Sequence, residues 1–188
     1  MCHLGEMLRL IIDSNVVASA FRSRSGAGFA LLELARREWI KMLATPPLFL
    51  EYEDVLKRPA QLAVSRLSLA DVDTALDALA ALIEPVEVHL TWRPQLPDPN
   101  DEMVLEAAIN GRADALVTYN SAHFQVAVAR FGMRLARPAD IIREVIQARA
   151  MRPIPSSCPP RSRRLRRGSP RRTVFRSTSG SRPRSRRR

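Results

Sequence analysis

Short runs of branched apolar residues alternate along this chain with longer stretches in which apolar residues recur every three or four positions. The short runs predict buried strands, and the longer stretches predict amphipathic helices. Strands are expected at residues 8–12, 39–44, 86–90, 115–118 and 133–136. Helices are expected at residues 16–21, 29–38, 46–58, 68–83, 102–109 and 138–147. This alternation predicts an α/β fold with a mostly parallel central sheet flanked by helices.

Several residues mark where the predicted helices begin and end. Ser68 and Asp71 have the three-residue spacing of a capping box, with Asp in place of Glu or Gln. Pro46 suits the first turn of a helix, and that helix has to end before Pro59. The pair at residues 110–111, Asn-Gly, is expected to stop the helix that precedes it.

Composition divides the chain into a short leader at residues 1–7, a single patterned domain at residues 8–150 and an Arg/Ser/Pro-rich C-terminal tail at residues 151–188. The tail holds 14 of the 30 basic residues and no acidic residue, whereas residues 1–150 hold 16 basic and 19 acidic side chains, a net charge of −3. The net charge of +11 is therefore a property of the tail. Because the tail has few apolar residues to bury, we expect it to be disordered.

The role of the tail and the position of the natural start stay open at this point. The tail binds nucleic acid through phosphates in a salt-dependent way, or it is a solvated segment that affects solubility, or it is a read-through or frame-shifted end without a selected role. The natural start is Met1 or Met7, since residues 1–6 carry no pattern.

Composition also excludes several classes of protein. Cys2 and Cys158 lie outside the patterned domain and form no CxxC pair, so we expect no disulfide framework and a cytoplasmic location. No apolar run approaches the roughly 18 residues of a membrane span, and nothing resembles a signal peptide, so no membrane association is expected. Gly26 and Gly28 are too sparse for a phosphate-binding loop. The three histidines and two remote cysteines do not form a zinc site.

Four polar residues occur where an α/β fold would expose them at one edge of the sheet. They are Asp13 after the first strand, Glu51 on the third predicted helix, Asp101 at the start of the 102–109 helix and Asn120 after the 115–118 strand. Ligands of open α/β sheets bind at the carboxyl ends of the strands. Carboxylates that lie together repel one another, so a cluster implies a cation, and Mg²⁺ and Mn²⁺ prefer oxygen ligands. The pattern therefore indicates metal-assisted phosphodiester hydrolysis.

Each of these residues also has an ordinary structural explanation. Asp13 could only cap the helix that follows it. Asp98 and Asp101 are typical turn and helix-start residues. Glu51 could be solvated, and Asn120 could be a turn residue with left-handed backbone geometry. Spacing alone leaves the metal site and these structural roles open.

Four segments occur in order along the chain. They are Leu-Ile-Ile-Asp-Ser-Asn-Val at residues 10–16, Leu-Glu-Tyr-Glu-Asp-Val-Leu at 50–56, Asp-Pro-Asn-Asp-Glu-Met-Val-Leu-Glu-Ala-Ala at 98–108, and Ala-Leu-Val-Thr-Tyr-Asn-Ser-Ala-His-Phe at 115–124. Together they resemble the PIN-domain family, specifically the VapC-type toxin component of a toxin–antitoxin pair, over about residues 8–147.

The resemblance implies a set of catalytic residues. Asp13 matches the first metal-site acid of the family, Glu51 matches the helix acid, and Asp101 matches the third acid. Asp13 and Asp101 would bind Mg²⁺ directly, with Mn²⁺ as a second possibility. Glu51 and Asn120 would complete the site, directly or through water.

The chain departs from the family at two of these positions. Asn120 stands where many PIN proteins have Asp, so the site carries one negative charge fewer. Many toxins of the family also have Asn at this position and then an Asp three residues later, where this chain has His123. We expect His123 to be a structural residue beside Phe124, and the alternative is that it orients a phosphate or a water molecule.

The resemblance implies a magnesium-dependent endoribonuclease that acts as a toxin, leaves a 5′-phosphate and a 3′-hydroxyl on RNA, and forms a homodimer. A cognate antitoxin protein would inhibit it by offering an Arg to the acidic pocket. The alternative is a catalytically weak PIN-like RNA-binding module, favoured by Asn120 and the basic tail. A third possibility is a phosphohydrolase on another α/β fold. Asn15 disfavours it, since the commonest such pattern has a second Asp there.

Overall fold

The structure is a computed structural model, and it describes residues 7–151. Within this range five strands alternate with eight helices. The strands are β1 (Leu8–Ile12), β2 (Ile40–Ala44), β3 (Ile83–Pro85), β4 (Ala115–Val117) and β5 (Arg134–Ala136). The helices are α1 (Ser14–Arg22), α2 (Ala27–Arg36), α3 (Pro46–Lys57), α4 (Pro59–Ser65), α5 (Leu69–Ala80), α6 (Glu102–Asn110), α7 (Ser121–Arg130) and α8 (Pro138–Ala150). The predictions for residues 1–6 and for the tail beyond residue 151 lie outside the described residues.

The five strands form one sheet in the order β3-β2-β1-β4-β5, and each neighbouring pair is parallel. The predicted α/β fold with a central parallel sheet is confirmed. Leu10, Ile11 and Ile12 of β1 are consecutive and fully buried, although successive side chains of a strand face opposite sides of the sheet. Both faces of the central strand are therefore covered, as in other parallel sheets flanked by helices.

Two helices begin with the signals that the sequence carries. Ser68 and Asp71 form a capping box at the start of α5, with each side chain bonded to the backbone N–H of the other. At the start of α3, Thr45 Oγ1 accepts a hydrogen bond from the Leu48 N–H at 3.4 Å. These caps stabilise the two helix starts because they satisfy N–H groups that have no partner within the helix.

The predicted strand at residues 86–90 is wrong: the strand of this region is β3, whose pairing with β2 ends at Pro85. Val86 makes one further hydrogen bond to β2 through its N–H. Beyond it, the side chain of Asn110 takes the place of a neighbouring strand. Its Oδ1 accepts from the N–H groups of His89 and Leu90, and its Nδ2 donates to the Leu90 carbonyl. The alternation that resembled a strand therefore belongs to an extended segment held by one side chain.

Buried acids of α6 hold the irregular segment that follows. The Glu106 carboxylate accepts two hydrogen bonds from the Arg93 guanidinium at 2.8 and 2.7 Å. Glu102 is 2% exposed, and its Oε1 accepts from the backbone N–H groups of Gln95 and Leu96. The segment between β3 and α6 is therefore attached to α6 at several points along its length.

No helix within residues 7–151 is long and apolar enough to cross a membrane.

Gly28 lies where α1 and α2 cross at close range. A Cβ atom at this position would lie 2.8 Å from the Val16 carbonyl oxygen and 3.0 Å from the Ala20 backbone nitrogen. Both are backbone atoms of α1, so neither moves without shifting that helix. Since α1 follows directly after β1, its position also determines the surroundings of Asp13.

We expect Gly28→Ala to destabilise the protein by about 1–3 kcal/mol, because overpacking at the helix crossing outweighs the better helix propensity of alanine. Chemical denaturation of the purified variant would measure this. Gly26→Ala is the comparison, since its new Cβ would approach a backbone atom less closely, at 3.3 Å from the Ser23 carbonyl oxygen, and we expect a smaller loss of stability there. Equal stability of the Gly28→Ala variant and the wild type would show that the two helices separate without cost.

Candidate functional site

The order of the strands creates a crevice between the carboxyl ends of β1 and β4. From β1 the chain adds β2 and β3 on one side and then crosses to β4 and β5 on the other. Such a switch point is where open α/β sheets bind ligands. Asp13 follows β1 and Thr118 follows β4, and the Asp13 N–H donates to the Val117 carbonyl at 2.9 Å. The candidate site is built around this junction.

Asp13 is 4% exposed, and side chains hold its carboxylate. Its Oδ2 accepts hydrogen bonds from Thr118 Oγ1 at 2.6 Å and from Asn15 Nδ2 at 2.7 Å. Its Oδ1 has a weak contact of 3.5 Å with the Ser14 hydroxyl. Asp13 occupies the N-cap position of α1, but its side chain makes no capping hydrogen bond. The Asp13 side chain therefore does not act as the cap of α1, although the residue stands at the N-cap position.

The Thr118 hydroxyl is the centre of this hydrogen-bond network, and sequence reasoning missed it. The group is fully buried, donates to Asp13 and accepts from Asn15 Nδ2 at 3.1 Å and from the Asn120 N–H at 2.9 Å. Asn15 Oδ1 in turn accepts from the Tyr119 N–H at 3.4 Å. The signal in the sequence was a hydroxyl residue directly after the apolar run of β4.

Tyr52 brings α3, and with it Glu51, to the end of β1. Its side chain is fully buried, and its hydroxyl donates to the Ile12 carbonyl, one residue before Asp13. Burial raises the pKa of the Tyr52 hydroxyl above its usual range, so the group stays a neutral donor. Glu51 is the preceding residue of the same helix, with its side chain 26% exposed and 3.6 Å from the Arg58 guanidinium.

The acids at this edge of the sheet interact electrostatically. Burial raises the pKa of the Asp13 carboxyl, and the charge of Asp101 raises it further. The Thr118 hydroxyl and the N–H groups at the start of α1 oppose this shift, because they favour the charged form. Burial likewise raises the pKa of Glu51. Arg58 lowers it, and the charge of Asp54 and then those of Asp13 and Asp101 add to the increase. The three acids therefore share one environment in which their negative charges repel.

Asp101 contacts His123 across the crevice. Asp101 Oδ2 and His123 Nδ1 lie 2.8 Å apart, and the His123 side chain is 45% exposed. The neighbouring Phe124 is fully buried, so the core position belongs to the phenylalanine and the imidazole lies at the candidate site. Among residues 7–151, the other carboxylate oxygen of Asp101 accepts no hydrogen bond. Asp101 also makes no capping bond to α6.

Asn120 and Asp98 have different surroundings. Asn120 joins the network through its backbone N–H, and its φ of −100° shows that it is not the left-handed turn residue considered above. Asp98 Oδ1 accepts from the backbone N–H and from the side-chain amide of Asn100 at 2.9 and 3.0 Å. Asp98 therefore has the turn role expected for it, and Asn120 lies beside the network of Asp13 and Thr118.

The donor set at this site matches a hard divalent cation. Within the described range of 7–151, no group of three or more His, Cys, Asp or Glu side chains is arranged to hold a metal ion. Mg²⁺ does not require such a group, since it keeps several waters and is commonly bound by one or two carboxylates. Asp13 and Asp101 each have one oxygen, Oδ1, that is free of strong hydrogen bonds within this range. A cation between them would offset the burial of the Asp13 charge and its repulsion by Asp101, the two effects that raise the pKa of Asp13.

Comparison with known proteins identifies the family. The family model described as PIN domain matches residues 9–122. This match spans more than half of the chain, so the protein belongs to the PIN-domain family, whose members are generally nucleases.

Similar solved structures were also found. Twelve chains match, among them VapBC2 from Rickettsia felis bound to a DNA fragment from its promoter, at 15% sequence identity and a TM-score of 0.48. The match covers 69% of this chain and 98% of that chain. A search of curated proteins gave no match.

Proposed function

We propose that the protein is a magnesium-dependent endoribonuclease and the toxin of a toxin–antitoxin pair. The observation that carries the proposal is the buried Asp13 carboxylate at the switch point of the sheet, with a pKa raised by burial and by Asp101. A buried acid that is repelled by a second acid is costly without a cation. The PIN family supports nuclease activity, and the oxygen donors support a divalent metal.

In this proposal Asp13 and Asp101 hold Mg²⁺ or Mn²⁺, and Glu51 and Asn120 complete the site directly or through water. A divalent cation bound there lowers the pKa of a coordinated water and stabilises charge on the scissile phosphate. Thr118 and Asn15 keep Asp13 Oδ2 occupied, so Oδ1 is the oxygen left for the cation. In-line attack on RNA would leave a 5′-phosphate and a 3′-hydroxyl.

His123 has a positioning role in this proposal. Its Nδ1 contact fixes one oxygen of Asp101 and so leaves the other for a ligand. Carboxylates that bind metals are commonly held by such an outer hydrogen bond. Because His123 and Asn120 replace acids of the family pattern, the site has fewer negative charges, which favours one metal ion over two.

A partner protein would bind an apolar cleft on the helices. A cavity of about 470 Å³ between α1, α2 and α5 is lined by Phe21, Phe29, Leu32 and Leu67, with Arg22 and Arg24 among its polar residues. We propose that a cognate antitoxin buries apolar side chains here and reaches the acidic site with an Arg. A homodimer and a cytoplasmic location belong to the same proposal.

A catalytically weak RNA-binding module is the second candidate. The observation that favours it is the neutral Asn120 beside the Thr118 hydroxyl. A carboxylate at this position would strengthen the binding of a cation. The basic tail would then supply most of the affinity for RNA through phosphate contacts, and that affinity would fall steeply with salt.

An assay on end-labelled RNA separates the two candidates. The full chain would be incubated with single-stranded RNA, and with DNA of the same sequence, in Mg²⁺, in Mn²⁺ and in EDTA. We expect cleavage of RNA with either metal, no cleavage in EDTA, and products with a 5′-phosphate and a 3′-hydroxyl. A variant that ends at Ala150 is expected to cut the same bonds, because the candidate site lies wholly before that residue.

Two results would contradict the proposal. Cleavage that persists in EDTA would remove the metal from the mechanism. Binding without cleavage across several RNAs, lost in the variant ending at Ala150, would favour the RNA-binding module.

A further inference from the structure

A second cavity adjoins the candidate site on the β5 side. It lies between α7, β5 and the start of α8 and has a volume of about 500 Å³. This is within the range of about 300–1,000 Å³ that is typical of small-molecule pockets. None of the acids assigned to the proposed nuclease lines it, so it has no role in the function described so far.

The cavity lies beside the candidate site at the carboxyl end of the sheet. The Thr118 N–H donates to the Ala136 carbonyl at 3.1 Å, and Ala136 lines the cavity. Ser121 lines it as well and directly follows Asn120, whose N–H donates to the Thr118 hydroxyl. Asp13 follows β1 and Ala136 ends β5, and these strands are two positions apart in the sheet, a separation of about 10 Å at the usual strand spacing. A strand of nucleic acid with a phosphate at Asp13 could therefore place a neighbouring nucleotide at this cavity.

The lining has an apolar part and a polar part. Val128, Met133 and Leu135 provide an apolar surface against which the flat face of a base could pack. Gln125 provides an amide that both donates and accepts hydrogen bonds, which suits the edge of a base.

The charge at the cavity favours a phosphate. Arg137 is exposed, lines the cavity and makes no ion pair within residues 7–151. Asp140 is the acid of the lining, but its Oδ1 accepts from Arg143 at 3.2 Å, which reduces its repulsion of an anion. A guanidinium without a partner is a strong donor to phosphate oxygens.

We propose that this cavity binds one nucleotide of the substrate strand next to the scissile bond, with the base on the apolar surface and Gln125, and the phosphate on Arg137. The proposal rests on the proposed nuclease function for its substrate. It makes the residues of the cavity determinants of base preference at the cut. The cavity itself binds nucleotide without a metal ion.

Mononucleotides test the cavity apart from catalysis. Isotope-labelled full-length protein in EDTA would be titrated with AMP, CMP, GMP and UMP and, separately, with ribose 5-phosphate, while its amide NMR signals are recorded. We expect at least one nucleotide to shift the signals of Gln125 and Ala129. Ribose 5-phosphate is expected to bind more weakly, because it lacks the base.

Matched variants locate the binding. Ala129→Phe fills the cavity from an exposed helical position and is expected to weaken nucleotide binding at least about 10-fold. Val126→Phe on the same helix is the control, since Val126 is 82% exposed and does not line the cavity. Arg137→Gln is expected to weaken binding of nucleotide and of ribose 5-phosphate by about 10-fold, whereas Arg36→Gln, on α2, leaves both unchanged.

Unshifted Gln125 and Ala129 signals with all four nucleotides would overturn the proposal, and so would wild-type affinity in Ala129→Phe. Shifts that are equal with ribose 5-phosphate would also overturn it, because they would mean that only phosphate is bound. These outcomes are independent of the nuclease. Cleavage of RNA without nucleotide binding would reject the cavity alone, and nucleotide binding without cleavage would reject the nuclease alone.

Discussion

Replacing Asp13 with asparagine is expected to lower metal-dependent RNA cleavage by at least about 100-fold, since even residues that only orient metal ligands cost 10–100-fold. Asparagine fits the site. Its carbonyl oxygen takes over the hydrogen bonds that Oδ2 accepts from Thr118 and Asn15, and its NH₂ group replaces an oxygen that has only a weak contact with the Ser14 hydroxyl. The NH₂ group loses the favourable interaction of the carboxylate with the N–H groups at the start of α1, which limits the gain in stability expected below. The loss would therefore be a loss of charge at the cation site and not of packing. Cleavage assays and calorimetric titration with Mg²⁺ would measure it.

The same variant is expected to be more stable than the wild type in metal-free buffer at neutral pH. Burial and the charge of Asp101 raise the pKa of Asp13 in the folded protein above its unfolded value. Folding therefore favours the protonated acid, so this residue's contribution to stability is largest at low pH and is lost as pH rises through the folded-state pKa. The Asp13→Asn variant would lack this dependence. At neutral pH its free energy of unfolding should exceed that of the wild type by roughly 1 kcal/mol, in the range of other stabilising single substitutions.

Chemical denaturation in EDTA at acidic and at neutral pH tests this claim. The difference in free energy of unfolding between variant and wild type should grow as pH rises. Added Mg²⁺ should raise the melting temperature of the wild type and leave that of the variant unchanged. A variant that binds Mg²⁺ as the wild type does, or that keeps its cleavage rate, would remove Asp13 from the metal site.

The second large effect is expected at Thr118, as a positioning residue. Thr118→Val keeps the shape of the side chain but removes the donor to Asp13 and the acceptor for Asn15 and Asn120. We expect cleavage to fall about 10–100-fold, as for other residues that hold a metal ligand. Stability should fall by about 1–3 kcal/mol, because buried polar groups lose their partner.

Conservative variants distinguish positioning from a general loss of structure. Thr118→Ser keeps the hydroxyl and is expected to restore most of the cleavage, although it leaves a small cavity. Thr74→Val is the control, since the Thr74 hydroxyl is exposed and bonds only within α5. The kcat of Thr118→Val should fall while the KM for RNA stays close to that of the wild type. An equal loss in Thr118→Ser and Thr118→Val would mean that packing, and not the hydrogen bond, is what matters.

Elements with strong local patterns were predictable from the sequence. β1 is a run of branched apolar residues that ends in a polar cluster, and its predicted bounds agree with the structure. The capping box of α5 was visible for the same reason, since its two residues lie three positions apart. Asp13 could be selected because strand ends form ligand sites in this class of fold.

Other features depend on contacts that no local pattern contains. Residues 86–90 alternate like a strand, but their partner is the side chain of Asn110, about 20 residues away. Neither α4 nor α7 has a local apolar pattern that predicts a helix from the sequence. The buried positions of α7 are Phe124, Ala127 and Val128, which is a short apolar face with small residues. The roles of Thr118 and Tyr52 arise from tertiary contacts with the end of β1.

The separation of Asp13 and Thr118 along the chain has a consequence for the timing of synthesis. The two residues are 105 positions apart, and β4 pairs with β1 only after it has left the ribosome. At typical translation rates this interval lasts roughly 5 to 20 seconds. Throughout it, the nascent chain carries Asp13 without the hydroxyl that orients it and without His123 beside Asp101. Under the proposed nuclease function, we expect a translation product that stops before β4 to lack RNA-cleaving activity.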